Sequence, residues 1–307
     1  MNNLILTLKN IPKVGRKSIY YFINELIHMP KDENDIIEMF KILNQKHKRI
    51  IIPTIEQIKI ANEKAEEIIY KSKAHNIKII NLLDDKFPSN LKNIEDVPIQ
   101  LFYKGNIENL NKKLSISIIG SRKADKVGIE TSYNLGKIFA IKDYNVVSGL
   151  ALGCDEYAHK GALSVKKNTT AVMPCSLDTI YPNQNEKLAQ EIIDNNGCLV
   201  SEYEIGSILY KNNFIQRDRI ESGLSLATVV VQSEINSGTM HTVEYTLKQN
   251  RILACCNLNS SLNQAMINEN KCVIIDENYN IEDLEAKIKY LNKNMNINKS
   301  EQEKFNI

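Results

Sequence analysis

Small residues and one arginine follow the ends of three predicted strands. The strands are the apolar runs 114–119, 145–148 and 226–232, and the first precedes a predicted helix over residues 126–141. The residues at the three turns are Gly120, Ser121, Arg122, Gly149, Ser237, Gly238 and Thr239. Backbone amides at the start of a helix favour an anion, and a guanidinium offers a planar fork of donors suited to phosphate. The sequence therefore predicts a phosphate-binding edge formed by these turns.

A second group of residues combines cations with an aromatic ring. Lys211, Phe214 and Arg217 recur at helical spacing, and Arg219 follows two positions later. Cations neutralise phosphates and an aromatic ring stacks on bases, which are the two ingredients of single-strand binding. An ordinary amphipathic helix with Phe214 in the core has the same spacing. The segment by itself leaves both interpretations open.

Asp155 and His159 are candidates for acid–base chemistry. They lie four residues apart in a predicted helix, and therefore on one face of it. The pair lacks an identifiable nucleophile or metal ligand, and an aspartate at the start of a helix is most often a cap. Six cysteines and five histidines are scattered without ligand spacing. We therefore expect buried free thiols, no metal site, no cofactor and no catalysis.

Alternating strands and helices would bring these turns together. Apolar runs separated by helical segments recur from residue 114 onward. They predict strands at 114–119, 145–148, 169–173, 197–201, 226–232, 251–255 and 271–275. Such alternation is typical of an α/β fold with a doubly wound, mainly parallel sheet, which binds ligands at the carboxyl ends of its strands.

The chain before this region has a helical pattern of its own. We predict a helical N-terminal domain over residues 1–82, an α/β domain over 83–293 and a disordered tail over 294–307. The segment 12–15, which reads Pro-Lys-Val-Gly, predicts a turn between two helices and is similar to a helix-hairpin-helix that holds a nucleic-acid backbone. A purely structural helix pair fits the same short pattern.

The composition excludes several classes of protein. Of 307 residues, 43% are hydrophobic and 25% are charged, which is ordinary for a soluble globular protein. The net charge of +2 gives no global basic signal, so a nucleic-acid site must come from a local patch. No segment is apolar over a membrane-spanning length. We expect a cytoplasmic protein without a membrane partner.

Several blocks of the sequence together resemble the DNA-processing protein A (DprA/Smf) family. They occur in that family's order and at spacings close to its own, over about residues 85–275. Two positions differ, since Leu152 stands where the family usually has Arg and Asp218 where it usually has Asn. The matching blocks are Gly120-Ser121-Arg122, the stretch from Ser148 to Leu163, Leu177-Asp178 with Tyr181-Pro182, Ser201-Glu202-Tyr203, Phe214 with Arg217, Arg219 and Ile220, Ser222-Gly223-Leu224, and Ser237-Gly238-Thr239.

The resemblance implies an extended Rossmann-like domain that binds single-stranded DNA, preceded by a small helical (helix-hairpin-helix or SAM-like) domain. It also implies a homodimer that protects incoming single strands and loads a RecA-type recombinase during natural transformation. For the site it implies DNA contacts from the seven turn residues and from Lys211, Phe214, Arg217 and Arg219. The apolar segment 252–256 suggests a dimer contact near a sheet edge, and an internal strand would account for it equally well.

A fainter similarity favours an enzyme. The turn at Ser237-Gly238-Thr239 resembles that of the lysine-decarboxylase-like phosphoribohydrolases, which cleave nucleoside monophosphates. That family has a Gly-Gly-x-Gly-Thr-x-x-Glu pattern, whereas here the double glycine is absent and Glu244 lies two residues too far along. The alternative function is therefore a phosphoribohydrolase or a nucleotide-binding protein of the same fold.

Overall fold

The computed structural model describes residues 1–112 and 114–305, with side chains through residue 294. The α-helices are α1 (Asn2–Asn10), α2 (Arg16–Asn24), α3 (Glu33–Lys46), α4 (Ile55–Ala74), α5 (Lys126–Ile141), α6 (Cys154–Ser164), α7 (Glu186–Asp194), α8 (Lys211–Leu224), α9 (Thr239–Lys248), α10 (Ser261–Asn268) and α11 (Glu282–Phe305). The strands are β1 (Lys78–Asn81), β2 (Gln100–Gly105), β3 (Ser115–Ile119), β4 (Asn145–Ser148), β5 (Thr169–Met173), β6 (Cys198–Ser201), β7 (Ala227–Val230), β8 (Ile252–Cys256) and β9 (Val273–Ile275).

The strands form a single nine-stranded sheet with the order β1-β2-β6-β5-β4-β3-β7-β8-β9. Strand β2 runs antiparallel to both of its neighbours, and all the other pairs are parallel. The chain moves outward from β3 in one direction to β6 and in the other direction to β9. Because the strand order reverses between β3 and β7, a crevice opens there at the carboxyl ends of the strands. The predicted doubly wound, mainly parallel sheet is confirmed.

Helices cover both faces of the central strands. Successive side chains of a strand point to opposite faces, so Ala171 of β5 packs with Leu188 of α7, whereas Val172 packs with Ile220 of α8. Helices α5 and α6 lie on the same face as α7, and Leu135 of α5 contributes to the largest apolar cluster. All the residues of strands β3 to β7 are buried. Burial on two faces explains why these strands are continuous apolar runs.

The helices α1 to α4 enclose an apolar core of their own, around Phe22 and Phe40. Asp32 caps α3, and Thr54 caps α4 in a reciprocal capping box with Gln57. Strand β1 pairs with β2, so the sheet begins before residue 82, where we predicted the domain boundary. The division into domains stays a prediction. The predicted disordered tail over 294–307 lies outside the residues described with side chains, apart from residue 294.

The segment 252–256 is an internal strand. It forms β8, which pairs with β7 on one side and β9 on the other. Its residues Leu253 to Cys256 are buried within the chain, so the suggested dimer contact there is wrong. Among the described residues, no helix combines the length and the apolar character needed to cross a membrane.

Candidate nucleic-acid interface

Two adjoining cavities form one open cleft at the carboxyl ends of β3, β4, β5 and β7. Their volumes are about 710 Å³ and 660 Å³, and they share Arg122, Tyr181, Phe214 and Arg217 among their lining residues. Ten of the eleven predicted site residues line this cleft; only Arg219 does not. The parallel topology therefore gathers turns that lie far apart in the sequence.

The first turn joins β3 to α5 and has little space around its glycine. A Cβ on Gly120 would lie 2.5 Å from Sγ of Cys154 and 2.9 Å from the backbone oxygen of Gln232. Asp125 caps α5 by accepting a hydrogen bond from the backbone N–H of Gly128 at 2.9 Å. A carboxylate of the chain thus occupies the helix start at which we predicted an anion. Arg122 is exposed and remains the cation of this turn.

The second turn joins β4 to α6 and holds a carboxylate of its own. Asp155 accepts hydrogen bonds from the backbone N–H groups of Gly149 at 3.1 Å and Ala151 at 3.4 Å. The N-cap of α6 is Gly153, with φ of 77°. Asp155 therefore binds the amides of the preceding loop and is not the N-cap that its position suggested. The loop amides that could have bound an external phosphate are engaged by this side chain.

The third turn leads into α9 and lacks such a carboxylate. Gly238 is the N-cap of α9, and no side chain caps this helix. A Cβ on Gly238 would meet no atom within 4 Å, so the space before the helix is open. Ser237 is held by a 2.8 Å contact between its Oγ and that of Ser233. This turn therefore offers a helix start that no side chain caps, with open space in front of it.

Arg217 lies on the floor of the cleft and is surrounded by carboxylates. It is 6% exposed, and its guanidinium packs directly on Gly149, where a Cβ would lie 1.4 Å from Nη1. Nη1 donates to Oε2 of Glu221 at 2.7 Å, and Nε lies 3.4 Å from Oδ1 of Asp218. Asp155 also interacts with this guanidinium. The charge of Arg217 is therefore already compensated within the protein.

Burial acts on the acidic partners of Arg217. It raises the pKa of Asp218 to about 6, against the opposing effect of the arginine. It also raises the pKa of Glu221 and the pKa of Asp155. When all three carboxylates around the one guanidinium ionise, they leave an excess of negative charge. The arginine therefore lowers their pKa values by less than burial raises them.

His159 does not form a pair with Asp155. Its Nδ1 lies 2.8 Å from Oγ1 of Thr169, which itself donates to the backbone oxygen of Val146 at 2.6 Å. Because that hydroxyl hydrogen is engaged, Nδ1 must carry the proton and donate it to Thr169. Burial, assisted by the charge of Arg217, lowers the pKa of His159 to about 3. The imidazole is therefore neutral, and its hydrogen bond to Thr169 connects α6 to β5.

An aromatic group stands at the mouth of the cleft. The guanidinium carbon of Arg122 lies 5.3 Å from the centroid of the Phe214 ring. The ring of Tyr181 meets Phe214 edge-on, with centroids 5.3 Å apart and planes at 71°. Phe214 is half-buried and lines both cavities, so it does not belong to the core. Lys211 precedes it by three residues in α8 and is exposed.

Tyr181 is a residue that the predicted site did not include. Its position in the loop after β5 was visible in the sequence, and 39% of its surface is exposed. Only the fold brings that loop to α8. The ordinary expectation for a tyrosine before a proline is a turn, so the sequence contained no local signal for a contact with Phe214.

Arg219 lies on the opposite side of α8 from the cleft. Residues two positions apart in a helix differ by about 200° around its axis, so the side chains of Arg217 and Arg219 cannot face the same ligand. Arg219 is 1% exposed, forms an ion pair with Glu202, and lies 3.4 Å from Asp96. Arg16 of α2 contacts the same two carboxylates. The structure therefore places Arg219 against the N-terminal helices and away from the other predicted site residues.

The carboxylates required by the enzyme alternative are scattered. Glu202 is paired with Arg219, and Glu244 is exposed on α9 with His241 at 3.8 Å. Glu244 is not among the residues that line the cleft. Within the described part of the chain, no group of three histidine, cysteine or acidic side chains is arranged to hold a metal ion.

Comparisons with known proteins agree on one family. Residues 78–292 match the family model described as DNA recombination-mediator protein A. The chain is similar to the DNA processing protein DprA of Streptococcus pneumoniae, with 36% identity over 171 residues, 56% of this chain and 60% of that protein. It is also similar to the protein Smf of Borreliella burgdorferi, with 33% identity over 185 residues, 60% of this chain and 58% of that protein. The chain thus spans about three-fifths of the length of these relatives.

Two solved structures resemble the fold over most of their length. The X-ray structure of DNA processing protein A from Streptococcus pneumoniae has a TM-score of 0.72 at 25% identity, covering 90% of this chain and 94% of that one. DNA processing protein A from Helicobacter pylori, described for its single-stranded DNA binding mode, has a TM-score of 0.61 at 30% identity. That alignment covers 71% of this chain and 97% of the other.

Proposed function

The chain belongs to the DNA recombination-mediator protein A family, and we propose that it binds single-stranded DNA in the cleft at the carboxyl edge of its sheet. We further propose that it protects the bound strand and loads a RecA-type recombinase onto it. The similar protein from Helicobacter pylori is described by its single-stranded DNA binding mode, which supports the first of these proposals.

One observation carries the proposal, namely the grouping of Phe214 with Arg122 and Tyr181 at the mouth of an open cleft. A ring flanked by a cation and a second ring offers a stacking surface for a base beside a contact for its phosphate. Such contacts read no sequence, because every base has a π-face and every nucleotide a phosphate. A duplex hides its base faces in the stack, so the single strand should be preferred.

The proposed roles of the predicted site residues follow from their surroundings. Arg122 and Lys211 are exposed cations and would contact phosphates. Gly238 and its neighbours Ser237 and Thr239 would bring the open start of α9 close to the backbone of the strand. Gly120, Ser121 and Gly149 would shape the cleft, and Arg217 would hold its floor, since its own charge is compensated.

Binding of oligo-dT, measured by fluorescence anisotropy beside a duplex of equal length, tests the proposal. The single strand should bind more tightly at the same salt concentration. Its affinity should fall with salt, with a log–log slope of about −0.7 for each phosphate contacted. Phe214→Ala should weaken single-strand binding, while Tyr290→Ala, which removes an exposed ring on α11, serves as the matched control. Equal affinity for both forms of DNA would contradict the proposal.

We also propose that the protein acts without catalysis. The carboxylates that turnover would need lie on separate elements, and the enzyme alternative requires an exposed Glu244 that is outside the cleft. Incubation with nucleoside monophosphates should release no free base. Base release that disappears in Glu244→Ala would favour the phosphoribohydrolase instead.

Two further parts of the proposal concern partners. Addition of the protein should shorten the lag of a RecA-type recombinase on single strands coated with a single-strand-binding protein.

We propose a homodimer in which the edge strand β9 contributes to the interface, because Ile274 on this strand is 51% exposed. A monomeric mass by light scattering at micromolar concentration would contradict the dimer.

A further inference from the structure

The positive charge of the chain is concentrated in its first helices. Residues 1–54 contain nine lysines and arginines against five aspartates and glutamates, although the whole chain has 39 against 37. The remainder of the chain is therefore slightly acidic. A local excess of this kind can bind a polyanion even when the net charge is close to zero.

Part of this charge forms a compact surface with aromatic rings, which we call the basic patch. It is exposed throughout and consists of Tyr20, Tyr21, His47, Lys48 and Arg49. The imidazole of His47 stacks on the ring of Tyr21, with centroids 4.2 Å apart and planes at 13°. Tyr20 meets Tyr21 edge-on at 6.4 Å. The patch thus presents two tyrosine rings, one of them held in place by an imidazole.

The cations of the basic patch lie at the tip of a turn. The backbone N–H of Ile50 donates to the backbone oxygen of His47 at 2.9 Å, which leaves Lys48 and Arg49 at the two corners between them. Ile50 is 6% exposed and anchors the turn in the core of the N-terminal helices. Neither cation has an ion-pair partner in the part of the chain described with side chains.

Acidic residues do not cancel this charge locally. Glu25 is already neutralised by Lys46, with which it forms an ion pair at 2.7 Å. The other four acidic residues of the first 54 lie between Asp32 and Glu38, around the first turns of α3, whereas the basic patch follows the end of that helix. A helix of 14 residues is about 20 Å long, so the two groups are well separated.

The N-terminal helices are attached at the same edge of the sheet as the cleft, across α8 from it. Lys9 at the end of α1 pairs with Glu204 at 2.9 Å, and Arg16 at the start of α2 lies 3.6 Å from Glu202. Both glutamates follow β6, whose carboxyl end is at the same edge of the sheet as the cleft. Helix α2 then extends from this junction toward Tyr20 and Tyr21.

From these contacts we infer that the basic patch is a second contact for single-stranded DNA, used by the part of a strand that leaves the cleft. Lys48 and Arg49 bind its phosphates, and Tyr21 and Tyr20 stack on its bases. The inference rests on the proposed function, because it assumes a strand in the cleft. It explains why these rings are exposed next to unpaired cations, a combination that contributes nothing to the core of the N-terminal helices.

Oligo-dT of two lengths separates this inference from the proposed function. A strand of about 8 nucleotides is enough for one site, and one of about 30 nucleotides can engage both. Lys48→Glu with Arg49→Glu should lower affinity for the long strand about tenfold and leave affinity for the short strand within about twofold. The salt slope for the long strand should become shallower by about 1.4, which corresponds to two lost phosphate contacts.

A matched control carries the same change in charge elsewhere. Lys137→Glu with Lys166→Glu alters two exposed lysines near the ends of α5 and α6, at the opposite edge of the sheet, and should not change the affinity for the long strand. Tyr21→Ala should lower long-strand affinity without changing the salt slope. Equal losses for both lengths, or equal effects of the two charge-reversal variants, would overturn the inference. Failure of the unmodified protein to bind the short strand would instead contradict the proposed function.

Discussion

Arg217 and Arg219 occupy two regions of the molecule, although they lie two residues apart on α8. Both guanidiniums are buried and paired with carboxylates. Arg217 is compensated by Glu221 and Asp218 of α8 itself, whereas Arg219 reaches Glu202 and Asp96 beside the N-terminal helices. One helix therefore supports the cleft with one face and the N-terminal helices with the other. Both arginines are therefore paired inside the protein, whereas Arg122 is exposed.

The largest expected effect is a difference in stability between alanine variants of the two arginines. Arg217→Ala should lower the free energy of unfolding by about 3–5 kcal/mol, because it leaves buried carboxylates without their cation. Arg219→Ala should cost about 1–3 kcal/mol, since the side chains of Glu202 and Asp96 are 19% and 50% exposed and water can reach them. Urea unfolding of both variants measures the difference. A larger loss of stability in Arg219→Ala than in Arg217→Ala would contradict this prediction.

The second prediction concerns the excess negative charge around Arg217. Because burial raises the pKa of Asp218 to about 6, the unfolded chain loses this proton at lower pH than the folded protein does. Stability contributed by the protonated form is therefore lost as pH rises from about 4 to about 6. Asp218→Asn should remove this loss and add up to about 3 kcal/mol at pH 7.5.

Thermal or urea unfolding across pH 4 to 8 would measure this effect. The matched variant Asp96→Asn changes a half-exposed carboxylate in the Arg219 region and controls for the replacement of a carboxylate by an amide. If Asp218→Asn gains no stability at pH 7.5, Arg217 compensates the negative charge of all its carboxylate neighbours and the prediction is wrong.

The third prediction contrasts the buried arginines with an exposed one. Arg122→Ala should weaken single-strand binding by about 1–3 kcal/mol, the range of a lost charge-assisted contact. Its free energy of unfolding should not change, since the side chain is exposed. Arg122→Lys should restore only part of the affinity, because an ammonium lacks the planar fork. Anisotropy titrations give the affinities, and unchanged binding by the folded alanine variant would remove Arg122 from the site.

The smallest effect is expected for Tyr181. Tyr181→Ala should weaken single-strand binding by about 1 kcal/mol, the lower end of the range for an aromatic ring that stacks on a base. Tyr290→Ala is again the control for loss of an exposed ring. If the two variants bind single-stranded DNA with identical affinity, Tyr181 only supports the ring of Phe214 and does not contact DNA.

The sequence by itself predicted the sheet and its turns. Strands buried on both faces must be apolar throughout, so the runs at 114–119 and 169–173 could be recognised without any tertiary information. Parallel strands bring their carboxyl ends to one edge, which is why ten of the eleven predicted site residues line one cleft. The short strand β1 escaped this reasoning because four residues are too few to distinguish a strand from the end of a helical region.

The contacts of each side chain in the site depend on the packing of the folded chain. Asp125 and Asp155 occupy backbone amides that a strand-to-helix turn would otherwise offer to an anion. Tyr181 reaches Phe214 from a loop more than thirty residues away in the sequence. The periodicity of a helix specifies that residues 217 and 219 point apart, but which of them faces the cleft depends on how α8 packs against the sheet. Spacing along the chain determines the direction of a side chain, whereas its partners are set by the packing of elements distant in sequence.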